Sequence, residues 1–220
     1  MAREIIIDGF FLDLEDFNND YRSTSTYDEI AAEEYITKIN RNARTNAREI
    51  AENITLAAQC AQVDAIYLLA KIHQESTFYI SANSSTGAAG LSQMTGVAIQ
   101  EVKDQLGIRG SRYARSSVIR SLRNDLKNCL GISAYNELYA LYRDKTKYQI
   151  KQVYKRDIKQ SILAGAIILK IFLTKNYSPN RSLRENYRRA LEDYNGESTR
   201  AQYAQSIIDK ASLIRARFNN

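Results

Sequence analysis

Along most of the chain, apolar residues recur every three to four positions, the spacing that lines one face of an α-helix. After a polar, acidic and weakly periodic stretch over residues 1 to about 25, the helical pattern runs from about 26 to 60 and, more strongly, from about 64 to 76. It resumes over about 97–106, 113–130, 134–143, 147–174, 182–193 and 199–217. Thr26 or Ser25, ahead of Asp28 and Glu29, supplies the N-cap chemistry for the first of these helices. Between 76 and 97 the pattern fails. There "STFYISANSSTGAAG" gathers Asn83, Gly87, Gly90 and several serines, which is turn chemistry. No strand-like alternation is longer than "EIIID". The pattern predicts an all-α, multi-helix domain with an irregular loop after its second strong helix.

Composition agrees with this expectation. A chain of 220 residues suits one domain with a continuous core, and nine glycines with a single proline, Pro179, leave long intervals free of helix breakers. The most apolar run, "ILAGAIILKIFL" from Ile162, is shorter than the ~18 residues of a membrane span and carries Lys170, so it reads as a core helix. The N-terminal twenty residues lack the basic-then-apolar layout of a secretory signal. A net charge of +6 and a pI near 9.2 favour an anionic partner such as nucleic acid, acidic lipid or bacterial cell wall. The positive charges alternate with apolar residues at helical spacing, however, as on any solvated helix face. Cys60 and Cys129 fit no metal-ligand spacing; two buried free thiols are expected, and a disulfide would require an oxidising compartment.

One acid departs from the pattern. At about 100° per residue, Ala61, Ala65, Leu68, Ile72 and Glu75 fall within a sector of about 80°, so Glu75 continues an apolar stripe. Burial and the negative end of the helix dipole would both favour its protonated form, the form that a general acid needs. Two readings follow from periodicity: Glu75 is an acid catalyst in a cleft, or it pairs with Lys71, four residues earlier, on a surface helix. His73, the single histidine, lies about 200° round the helix from Glu75 and points away from it. No GxSxG elbow and no glycine-rich phosphate loop is present.

The residues after Glu75 carry a resemblance. "HQESTF" followed by "SSTGAAGLSQM" is similar to the soluble lytic transglycosylase and goose-type lysozyme-like family, in which a helix ends in Glu-Ser-x-Phe before a Ser-x-x-Gly-Ala-x-Gly-Leu loop and a Gln. Glu75, Ser76 and Phe78 match the first part; Ser84, Gly87, Ala88, Gly90, Leu91 and Gln93 match the rest. Downstream, "SILAGAIIL" with Gly165 resembles the family's Asn-Ile-x-x-Gly-x-x-Tyr-Leu helix, Ser161 and Ile168 standing for the Asn and Tyr. "RRALEDYNG", with Ala190, Leu191, Tyr194, Asn195 and Gly196, resembles the Ala-x-x-Tyr-Asn-Gly block, and "QYAQSI" around Tyr203 and Ala204 resembles its last helix. The chain departs from the family at Ser92, where Met is usual, and at Gly96, near a usual Pro.

The resemblance implies a lysozyme-like fold over residues 46–220 with a helical insertion at about 108–155, preceded by a partly helical N-terminal extension, 1–45. It implies cleavage of the β-1,4 bond between N-acetylmuramic acid and N-acetylglucosamine, without cofactor or metal. Glu75 would act as general acid and then base, giving 1,6-anhydro-muramyl products. Ser84 and Gln93 would bind the reacting sugar, and Tyr194 and Asn195 would line the opposite wall, Tyr194 helping to orient Glu75. A hydrolytic lysozyme and a non-catalytic wall-binding component are the alternatives. The implied partner is peptidoglycan, with no nucleic acid and no membrane span; the extension or the insertion could dock a protein. The implied site of action is the bacterial wall, for a phage lysin, a virion component or a secretion-associated enzyme.

Overall fold

The computed structural model describes residues 4–7, 10–13, 27–108, 116–195 and 199–218. Its described residues form ten α-helices: α1 (Glu29–Ile39), α2 (Ala47–Ala61), α3 (Ala65–Ser76), α4 (Gly96–Gln105), α5 (Ser116–Leu130), α6 (Ile132–Asp144), α7 (Lys147–Tyr154), α8 (Ile158–Asn176), α9 (Leu183–Asn195) and α10 (Arg200–Phe218). A short 3-10 helix, Arg41–Asn46, joins α1 to α2. Near the N-terminus, Glu4–Ile7 pairs antiparallel with Phe10–Asp13, the first of these inside the "EIIID" alternation. The rest of the described chain is helix and loop, as the hydrophobic period predicts. Among the described residues no helix is long and apolar enough to cross a membrane.

Two expected helices are each divided in two. The pattern from 26 to 60 breaks at Asn40, which ends α1 in extended backbone and caps the 3-10 turn by accepting from the Asn42 amide. The pattern from 147 to 174 breaks before Asp157, an extended residue whose carboxylate accepts from the Gln160 amide and so starts α8 afresh. A side chain that can cap outcompetes an uninterrupted apolar period, because it satisfies amide groups that a new helix start leaves bare.

The apolar α8 is the axis of the fold. Fourteen of its residues, from Ile158 to Thr174, are buried, and α2, α9, α4 and α7 pack around it. Residues of the N-terminal 45 share this core: Ala32, Tyr35 and Ile36 of α1 are buried, and α1 lies against α2.

Cys60 and Cys129 form a disulfide, with Cα atoms 5.2 Å apart. This corrects the expectation of free thiols. The two cysteines are 69 residues apart in sequence, so spacing carried no sign of the pairing; packing of α5 against α2 brings them together. The bridge ties the 108–155 segment to the central helices.

Candidate active site

The helix that carries Glu75 is anchored at its start. Asp64 caps it through the Ile66 and Tyr67 amides, and its second oxygen receives Arg215 of α10 at 2.7 Å. At the other end the chain reverses through two left-handed residues, Thr77 (φ 49°) and Phe78 (φ 62°). Phe78 is buried against the His73 ring, and Asn40 donates to the Thr77 carbonyl. Glu75 is thereby fixed in the last turn of α3, as the sequence predicts, beside the loop.

The loop over residues 77–95 folds back on itself through isolated bridges between Asn83 and Ala89 and between Ala89 and Met94. Ser84 Oγ accepts from the Ala88 amide and meets Thr86 Oγ1 at 2.9 Å, so this hydroxyl shapes the turn while it faces the cleft. Gln93, at φ 45°, donates its side-chain amide to the Gly90 carbonyl. Gly90 has φ 77°, and a Cβ there would come within 2.6 Å of the Tyr154 carbonyl; no larger residue fits. Gly165 of α8 lies so close to Ser92 that a Cβ would stand 2.6 Å from the serine Cβ. From α7, Lys151 donates to the Gly87 carbonyl at 2.5 Å, so the 108–155 segment buttresses this loop directly.

Glu75, Ser84, Gln93, Tyr194 and Asn195 all line one cavity of about 660 Å³. Its remaining wall includes Phe172 of α8, Tyr203 and Arg200 of α10, and Lys175 paired with Asp193. Five of the other motif positions, Ser76, Phe78, Gly90, Leu91 and Gly165, are buried and do not line this cavity.

The geometry around Glu75 differs from expectation in two respects. The hydroxyl that donates to Glu75 Oε1 belongs to Tyr203; that of Tyr194 reaches the Ser92 carbonyl at 3.4 Å. Burial, followed by the Glu75 charge, raises the Tyr203 hydroxyl well above its ordinary value, so it stays a proton donor to the carboxylate. Lys71 does pair with Glu75, Nζ to Oε1 3.6 Å, but the pair is not on a surface. The Lys71 side chain is fully buried and that of Glu75 is 14% exposed. The ammonium lies 4.2 Å above the Tyr194 ring, and Tyr194 stacks on Tyr203.

Sequence reasoning found Tyr203 only as part of a similar helix and treated Lys71 as a solvent-facing partner. A signal for Lys71 was present, since it falls about 40° beyond Glu75 at the edge of the apolar stripe. None marked Tyr203, which is one of fifteen tyrosines. His73 is half-buried packing: it shares a hydrogen bond with the Tyr35 hydroxyl at 2.7 Å, and burial, aided by the nearby Lys210 charge, lowers its pKa to about 4. Chemically, the site offers the Glu75 carboxylate on a cavity wall, held at one oxygen by a phenol, with a buried lysine beside it. The chain matches no family model, no curated protein and no solved structure at a significant level.

Proposed function

We propose that this protein is a lysozyme-like muramidase of the lytic transglycosylase type, cutting the glycan strands of peptidoglycan with Glu75 as its single acid–base group. The observation that carries this reading is the company that the cavity's carboxylates keep. Besides Glu75, the lining acids are Asp193 and Glu101. Asp193 accepts from Lys175 at 2.7 Å and Asn176 at 3.2 Å, and Glu101 is buried and accepts from Gln105 at 2.8 Å. Two-carboxylate glycosidases need a second acid flanking the scissile bond; acids engaged in this way favour chemistry that uses one.

In that chemistry Glu75 gives its proton to the glycosidic oxygen as the bond to C1 breaks. The N-acetyl oxygen of the muramyl residue shields C1. The carboxylate then takes the proton of the C6 hydroxyl, whose oxygen closes on C1 to give the 1,6-anhydro sugar without water. Tyr203 keeps Oε1 in place and leaves Oε2 to the substrate. Ser84 and Gln93 border the reacting sugar, while Tyr194 and Asn195 bound the other wall. The net positive charge suits an anionic wall.

The test is incubation of wild type and Glu75→Gln with purified peptidoglycan, with products identified by mass. The expected product is lighter by one water than a reducing-end muropeptide, and the Gln variant is slower by at least about a hundredfold. A product of full mass would make the enzyme a hydrolase. Intact glycan after wild-type treatment would reject cleavage altogether.

A further inference from the structure

A second cavity, of about 300 Å³, lies where the end of α4 meets α5 and α6. Arg123 and Lys127 of α5 line it, and no acid does so among the described residues. Neither cation has an ion pair or a hydrogen bond with a described residue. Lys127 rests over the Tyr135 ring at 5.1 Å, and Arg123 lies against the Gly107 backbone. Capping of α4 does not account for the two charges. The carbonyls of Val102, Lys103 and Asp104 already accept from the amides of Leu106, Ile108 and Gly107. Two cations on a helix face need no special explanation, but Tyr135 does. It is 4% exposed, it lines the cavity, and its hydroxyl bonds to no described residue, whereas buried hydroxyls are normally partnered. Burial raises this hydroxyl above its ordinary value and the Arg123 charge lowers it, so a proton donor stands within the field of the guanidinium. The exposed amides of Asn124 and Asn136 add donors at the rim.

We propose that this cavity binds an oxyanion carried by the wall polymer, a carboxylate or a phosphate, between Arg123, Lys127 and the Tyr135 hydroxyl. The identity of the polymer rests on the reading of the protein as a muramidase; the choice of an oxyanion does not. A guanidinium fork takes two oxygens of such a group, the ammonium adds a point charge, and the phenol donates to the same centre. The volume is at the small end of ligand sites, enough for the anionic group and a short carrier but not for a glycan strand. Val97 and Ala98, at the start of α4, line the Glu75 cavity, and Leu106, just past its end, lines this one. The two cavities are therefore separated by one ten-residue helix, about 15 Å. A strand lying in the cleft can be held at this second point by a charged side group, without contact with the acid.

The probes are L-alanyl-D-glutamate, for the carboxylates of a peptide stem, and glycerol 3-phosphate, for a phosphate-bearing wall polymer, with glycerol as the uncharged control. Each is titrated into the full chain and followed by amide NMR. At least one anion should shift the resonances around Leu106, Arg123 and Tyr135; whichever binds more tightly assigns the source. Arg123→Gln with Lys127→Gln should weaken it about tenfold or more, and Tyr135→Phe severalfold. No binding by either anion, equal binding by glycerol, or affinity unchanged in the double variant overturns the proposal. If thermal melting shows the double variant unfolded, Asn136→Asp, which places a negative charge at the exposed rim, is read in the same way. Co-sedimentation with purified peptidoglycan, on a Glu75→Gln background that prevents cutting, tests the polymer. The double variant should be retained severalfold less, while Lys38→Gln with Arg44→Gln, which removes the same charge elsewhere, should be retained like its parent. Equal losses in the two would reduce the effect to net charge and reject the site. Neither measurement needs turnover, so wild type that leaves peptidoglycan intact would sink the proposed activity and still leave the second cavity decided.

Discussion

Tyr203 supports Glu75 from 128 residues away in the sequence, and its hydroxyl is separable from its packing. Tyr203→Phe keeps the ring that stacks on Tyr194 and removes only the donor. A hydrogen bond to a charged acceptor contributes about 1.5–3 kcal/mol, so kcat for peptidoglycan cleavage should fall about tenfold or more with KM little changed. An unchanged kcat in steady-state assays would remove the hydroxyl from the mechanism. His73 offers a second test. Its folded pKa of about 4 lies below the ordinary 6.5, so between those values the unfolded chain binds a proton that the native one refuses. Stability from this source is therefore complete above 6.5 and lost progressively as the pH falls toward 4. His73→Gln should flatten melting temperature against pH across that window; an identical slope in both proteins would contradict the assignment. The sequence made the position of Glu75 readable because a 3.6-residue period fixes a face. It left Tyr203 obscure, because the partner of a carboxylate is chosen by how helices cross, and periodicity is silent on that.

At the level of elements, the contact between α8 and the 77–95 loop depends on what is missing from two residues. Gly165 and Ser92 are each small, and each is where the other needs it to be. A methyl at Gly165 forces the loop off α8, and overpacking of this kind costs about 1–3 kcal/mol. Gly165→Ala should accordingly lower the midpoint of chemical denaturation and weaken cleavage together, since the displaced loop borders Glu75. A variant as stable as wild type would show that the loop relaxes freely. The glycine was visible in the sequence as part of the "SILAGAIIL" resemblance; its counterpart was visible only as a departure at Ser92. Helix existence was likewise legible, whereas the breaks at Asn40 and Asp157 were not, because a cap is a local hydrogen bond set against a long apolar period.

Across the whole molecule, the least legible feature was the disulfide, since two cysteines separated by a long stretch carry no spacing signal. Closing a loop between residues 69 apart should stabilise the fold by about 4 kcal/mol on a chain-entropy account. The double variant Cys60→Ser, Cys129→Ser should lose that much in a denaturant titration, and a reducing agent should do the same to wild type alone; equal stability with and without reductant would refute it. The site has a further whole-chain property. The Glu75–Lys71 pair is met by Tyr203 of α10 and Tyr194 of α9, and Asp64, which starts the Glu75 helix, is clasped by Arg215 of α10. Without α10 in place, the site has the acid and the loop but neither the phenol nor the clasp. The surroundings of the acid are therefore a product of tertiary packing, set by α10 lying along α3 rather than by the stretch that carries Glu75.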